Sequence, residues 1–126
     1  MTLFWIAVGG AMGAVTRYKV FDVAQRYVSG FFPWGTLVVN VFGSFLMGLL
    51  WPFFDRFPLP TQLKLTVFVG FIGAFTTFSN YSLETLELIR IGQVGDAVLN
   101  ILLNNILCLV VVYLGFYASR QMMGVQ

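Results

Sequence analysis

Four long apolar stretches, each closed by a short polar or proline-containing interruption, dominate the chain. The first runs from about Leu3 to Val20 and ends in the charged group Arg17, Lys19, Asp22 and Arg26. Long basic side chains can sit at a membrane boundary or reach toward it, so this end reads as interfacial. After Ser29, Gly30 and Pro33, a second stretch extends from Trp34 to Phe54. Trp34 and Trp51 lie near its two ends, where amphipathic rings favour the lipid–water boundary. Asp55 to Pro60 forms a polar, proline-broken turn. The third stretch, Thr61 to about Arg90, is longer than a bare span requires and carries a dense polar run through its middle. A turn over Gly92 to Asp96 leads to a fourth stretch, Ala97 to Ser119, followed by Arg120 and a short tail. A span needs roughly 20 mainly apolar residues. The pattern therefore predicts an all-α membrane protein with four transmembrane helices in one domain over residues 1–126, with no room for a separate soluble domain.

Composition sharpens this reading. Of 126 residues, 59% are hydrophobic and only 10% charged, and the mean hydropathy is +0.87. The solvent of such a chain is largely lipid. Seven basic residues against five acidic ones give a net charge of +2, and they are scattered, so no nucleic-acid surface is expected. One cysteine and no histidine exclude a disulfide framework and a Cys/His metal site. Met1-Thr2-Leu3-Phe4-Trp5 lacks the basic start of a signal peptide and reads as part of a retained first span. An enzyme is not expected, since no nucleophile, base or metal constellation is present.

Orientation follows the basic residues flanking the spans. One side holds Arg17, Lys19, Arg26 and Arg90, the other Arg56, Lys64 and Arg120, so the balance is four to three. Two readings stay open. Insertion in both orientations would allow an antiparallel dimer about an in-plane two-fold axis; alternatively, a near-even count simply predicts orientation poorly. Gly9 and Gly13, Ser44 and Gly48, and Gly70 and Ala74 are each four apart and form notches for close helix packing.

Polar groups at bilayer depth cost free energy unless they find partners. Asn40 and Ser44 share a face of the second stretch. Asn100, Asn104 and Cys108 form a stripe on the fourth, with Asn105 beside it. In the third, Thr76, Thr77, Ser79, Asn80 and Ser82 follow one another, with Phe78 and Tyr81 interleaved. Interhelical hydrogen bonds contribute only about 0.6–2 kcal/mol each, an indifferent reason to keep several amides in one small bundle. A lined polar pathway is the better reading. No charged residue falls in the middle of the first, second or fourth stretch. Amide and hydroxyl donors and the positive edges of aromatic rings suit a small anion. A glycine-containing break in the third stretch would free backbone carbonyls near Gly73 and Thr76, able to hold a bare cation. The alternative is a glycine that only lets helices pack.

Three segments carry a family resemblance. Gly73-Ala74-Phe75-Thr76-Thr77-Phe78-Ser79-Asn80-Tyr81-Ser82-Leu83-Glu84 resembles the third-helix signature of the Fluc (CrcB-like) fluoride channels. Trp34-Gly35-Thr36-Leu37-Val38-Val39-Asn40 is similar to that family's second-helix signature, and Gly9-Gly10-Ala11-Met12-Gly13-Ala14-Val15-Thr16-Arg17 to its first. The resemblance implies a passive fluoride channel in the inner (plasma) membrane that protects against fluoride toxicity. It implies a dual-topology antiparallel homodimer, a third helix broken near its middle, and a central sodium ion held by the backbone carbonyls of Gly73 and Thr76. Asn40 matches the pore-lining amide, Phe78 and Tyr81 the paired pore aromatics, and Ser82 the second serine of the third-helix signature. Glu84 and Arg17 match polar pore and vestibule positions, and Asn104 and Cys108 the small polar residues of the fourth helix. The family usually has phenylalanine at Tyr81 and a hydroxyl residue at Cys108. On the resemblance, Tyr81→Phe is expected to be tolerated or to raise flux.

Two other readings are weaker. A small multidrug-resistance type exporter shares the length and span number but needs an acidic residue inside the first helix, and Leu3 to Val15 contains none. An accessory subunit without its own pore would leave the polar stripes unexplained.

Overall fold

A computed structural model describes residues 1–124 of the chain, and every regular element among them is helical. Helix α1, Thr2–Tyr27, does not stop at Val20 as the charge pattern predicts. Asp22 and Arg26, one turn apart, pair at 2.6 Å, so the charged group is absorbed into the helix. Extended backbone at Val28 and a left-handed Gly30 (φ +133°) then end it. Helix α2, Trp34–Arg56, likewise includes Asp55 and Arg56, expected in the turn, and carries a buried Pro52.

The third span is broken. Its first half, α3a (residues 61–75), begins as an α-helix over Thr61–Lys64, widens into a π-helix over Leu65–Ile72 and closes as an α-helix over Gly73–Phe75. Thr76 and Thr77 are extended, and α3b follows over Phe78–Arg90. The break therefore falls after Gly73, at two β-branched residues that tolerate extended backbone well. Gly73 itself is helical (φ −62°, ψ −35°). Gly92, with φ +80°, turns the chain into α4, Val94–Met122, which starts three residues before the expected Ala97.

Three segments are long and apolar enough to cross a membrane: Trp34–Arg56, Thr61–Arg90 taken across its break, and Val94–Met122. Helix α1 has 26 residues, a spanning length, but falls below that apolarity because small residues and the Arg17–Lys19 end dilute its aliphatic content. Helix α2 lies along α4, α1 along α3a, and α3b along α4. Glycines set both long contacts. A Cβ at Gly9 or Gly13 would strike the Thr66 or Phe71 carbonyl of α3a, and one at Gly48 would strike Val112 of α4. The Gly9/Gly13 and Gly48 notches of the sequence are thus helix contacts. Phe54, Phe68 and Ile72 form a buried apolar cluster at one end, with Trp51 edge-on to Phe68 at 5.4 Å between ring centres.

Candidate functional site at the broken helix

An interrupted helix leaves backbone donors and acceptors that lipid cannot satisfy, so each needs a protein partner. Asn40 of α2 supplies two at once. Its Oδ1 accepts the Thr77 N–H at 2.8 Å, and its Nδ2 donates to the Thr77 carbonyl at 3.1 Å. The remaining N–H of Asn40 goes to Asn104 Oδ1 at 2.9 Å. From there the bonds continue in one sense: Asn104 Nδ2 donates to Asn100 Oδ1 at 2.7 Å, Asn100 Nδ2 to Thr85 Oγ1 at 2.9 Å, and Thr85 to the Tyr81 carbonyl at 2.7 Å. Asn100 is fully buried, so this chain fixes α2, the break, α3b and α4 relative to one another.

Thr77 also caps α3b, its Oγ1 accepting the Asn80 N–H at 3.2 Å. In a continuous helix the Thr77 and Asn80 N–H groups would go to the carbonyls of Gly73 and Thr76. Here they go to Asn40 and to the Thr77 side chain. Those two carbonyls are relieved of their helical donors, which is the chemistry a hard cation requires.

Beside the break lies an open cavity of about 420 Å³ between α2, the third span and α4. Of the residues expected at a site, Asn40, Thr76, Phe78, Tyr81, Asn104 and Cys108 line it, and none of its lining residues is charged. Phe78 and Tyr81 meet edge to face, with ring centres 5.1 Å apart. Tyr81 is buried, whereas Phe78 is 75% exposed on the surface of the single chain.

The other expected residues lie elsewhere. Ser82 is exposed, and its hydroxyl donates to the Phe78 carbonyl one turn back at 2.9 Å. Glu84 accepts from the buried Thr36 hydroxyl at 2.7 Å, and its Oε2 is buried with no partner among the described residues. Arg17 is half-buried on α1, outside the lining, and Gly73 is exposed one turn before the break. Ser44, Thr77 and Asn105, which the sequence marks as intramembrane polar residues without singling them out for the site, also line the cavity. Asn105 was visible only as a neighbour of the Asn100–Asn104 stripe. The role of Thr77 lies in its peptide group, which no side-chain pattern reveals.

Residues 4–116 match the family described as "CrcB-like protein, Camphor Resistance (CrcB)". The chain belongs to this family. Among its relatives, the "Fluoride-specific ion channel FluC" of Magnetococcus marinus is 48% identical over 121 residues, covering 95% of this chain and 98% of the relative. The protein of the same name from Shewanella amazonensis is 49% identical over 113 residues, covering 90% and 91%. That of Geobacter sulfurreducens is 44% identical over 122 residues, covering 96% and 98%. With three apolar spanning segments, this CrcB-like chain is a multi-pass membrane protein. The family region takes in the whole of the break and its Asn40 clamp, together with Asn100 and Asn104.

Proposed function

We propose that this CrcB-like chain is a fluoride-selective channel that lets fluoride leave the cell passively across the inner membrane and so limits fluoride toxicity. The observation that carries this reading is the end-to-end likeness to relatives named as fluoride-specific channels, 48% identical over 95% of the chain. The site chemistry supports it. Fluoride is small and strongly hydrated, and even a carboxylate-sized ion pays an idealised penalty of about 20 kcal/mol in a low-dielectric medium. An uncharged lining of amides, a thiol, hydroxyls and ring edges can replace water without binding the ion too tightly to release it.

The cavity is open along one flank, with Phe78 and Asn105 exposed. A second, oppositely oriented copy would close it, giving an antiparallel homodimer, a reading the near-even basic count supports. At the break, the Gly73 and Thr76 carbonyls would hold a sodium ion, whose charge would favour an anion nearby. Asn40 has both N–H groups engaged, so it would reach fluoride by exchanging its bond to Asn104 or to Thr77.

The test is efflux from liposomes containing only the purified chain. Fluoride should leave far faster than chloride, and the dimer should be more stable in sodium than in potassium buffer. Equal rates for the two anions would overturn selectivity, and equal stability in the two buffers would remove the sodium site.

A further inference from the structure

The lining contains a pair whose hydrogen bonding is one-directional. Asn105 Nδ2 lies 2.8 Å from the Ile101 carbonyl oxygen and 3.2 Å from Tyr81 Oη. A carbonyl can only accept, so the amide atom beside Ile101 has to be the nitrogen, and this fixes which way the Asn105 amide faces. Both its N–H groups are then assigned: one to Ile101, the other to the tyrosine oxygen. A phenol oxygen carries a single proton and two lone pairs. With one lone pair taken by Asn105, the Tyr81 proton is directed away from that amide, and no acceptor takes it among the described residues. Tyr81 is only 8% exposed, and both residues line the same cavity. A hydroxyl proton that no protein group accepts remains available to an acceptor entering the cavity.

We propose that Asn105 is a positioning residue that turns the Tyr81 hydroxyl into an outward-facing donor for the anion in this cavity. Tyr81 thus binds the ion through its O–H rather than through its ring alone. The inference rests on the fluoride-pathway reading and adds to it, for it concerns two residues that act as a unit. Beyond the expectation from resemblance that Tyr81→Phe is tolerated or raises flux, it implies that this variant binds fluoride more weakly.

The test is the fluoride concentration that half-saturates efflux, measured in liposomes for the unmutated chain, Tyr81→Phe, Asn105→Ala and the double variant. Tyr81→Phe should raise it about ten-fold or more, the loss of one hydrogen bond to a charged group, with the assembly still eluting at its usual size. Asn105→Ala, at a site exposed in the single chain, should raise it by less, because the hydroxyl remains but is no longer held. In the Tyr81→Phe background Asn105→Ala should add nothing. An unchanged half-saturation in Tyr81→Phe would overturn the proposal. So would an equal shift from Asn105→Ala with and without the tyrosine hydroxyl, since Asn105 would then act on its own. If the unmutated chain moves no fluoride, the underlying reading falls as well; if it does and Tyr81→Phe matches it, only the present proposal falls.

Discussion

Asparagine suits position 40 because one planar group offers an acceptor and two donors, and all three are engaged at the break and with Asn104. Asn40→Asp keeps the size but not the donors. The carboxylate can still accept the Thr77 N–H, yet it can donate to neither the Thr77 carbonyl nor Asn104. The expected result is a loss of about 2–4 kcal/mol of stability, from two bonds lost and a carbonyl left unpaired, and a fall in fluoride efflux of about ten-fold or more. Thermal unfolding and a fluoride electrode measure both, and an unaltered efflux trace would remove Asn40 from the pathway. The sequence placed Asn40, Ser44, Asn104 and Cys108 on shared faces because helical periodicity alone dictates that. What Asn40 holds was not legible, since a peptide group leaving its helix carries no side-chain signature. Glu84 illustrates the same limit: motif spacing singled it out, but its partnership with Thr36 joins residues far apart in sequence.

At the level of elements, the two halves of the third span depend on the cap that Thr77 provides. Thr77→Val preserves the branched shape and the extended backbone but removes the acceptor for the Asn80 N–H. It should lower stability by about 1 kcal/mol, seen as a lower unfolding midpoint, whereas Thr77→Ser should stay close to the unmutated protein. Equal losses in both would mean that the cap does not stabilise α3b. A break near the middle of this span, close to Gly73 and Thr76, was legible from its glycines and polar run, but which two residues leave the helix was not. Glycine at 73 permits departure from the helix without requiring it, whereas Asn40 and the Thr77 hydroxyl reward departure at residues 76 and 77. The π-helical stretch at Leu65–Ile72 went unforeseen because its composition is that of any apolar helix. Helix ends drifted outward for a related reason, since Asp22 and Arg26, or Asp55 and Arg56, are as compatible with a last helical turn as with a loop.

For the whole molecule, the proposed dual topology requires that a balance of four basic residues to three leave insertion nearly undirected. Single cysteines placed in the loop at residues 57–60, on a background lacking Cys108, should therefore react with impermeant reagents from both faces of the membrane. Labelling from one face only would rule out dual topology. Helix number and order were readable because each long apolar run needs a lipid-sized length. The pairing of α2 with α4 was only half readable: the notch at Gly48 was marked, but Gly115, which faces the Phe45 carbonyl from the other side, was not. A glycine in an apolar run announces that something comes close, never what.

The interrupted third span also constrains how the chain is made. Each half is about 20 Å long by the helical rise, against a hydrocarbon core of about 30 Å. The second half further carries Glu84, Glu87 and Arg90. Neither half can settle alone across the bilayer during synthesis. The two halves therefore cross only as one continuous segment, and its bonds to α4, from Asn100 to Thr85, and that from Asn40 to Asn104, can form only once α4 has been made. A chain cut before Asn100 would thus keep the broken span but lose the amides that tie its second half to α4, so the middle of this protein is locked by residues made after it.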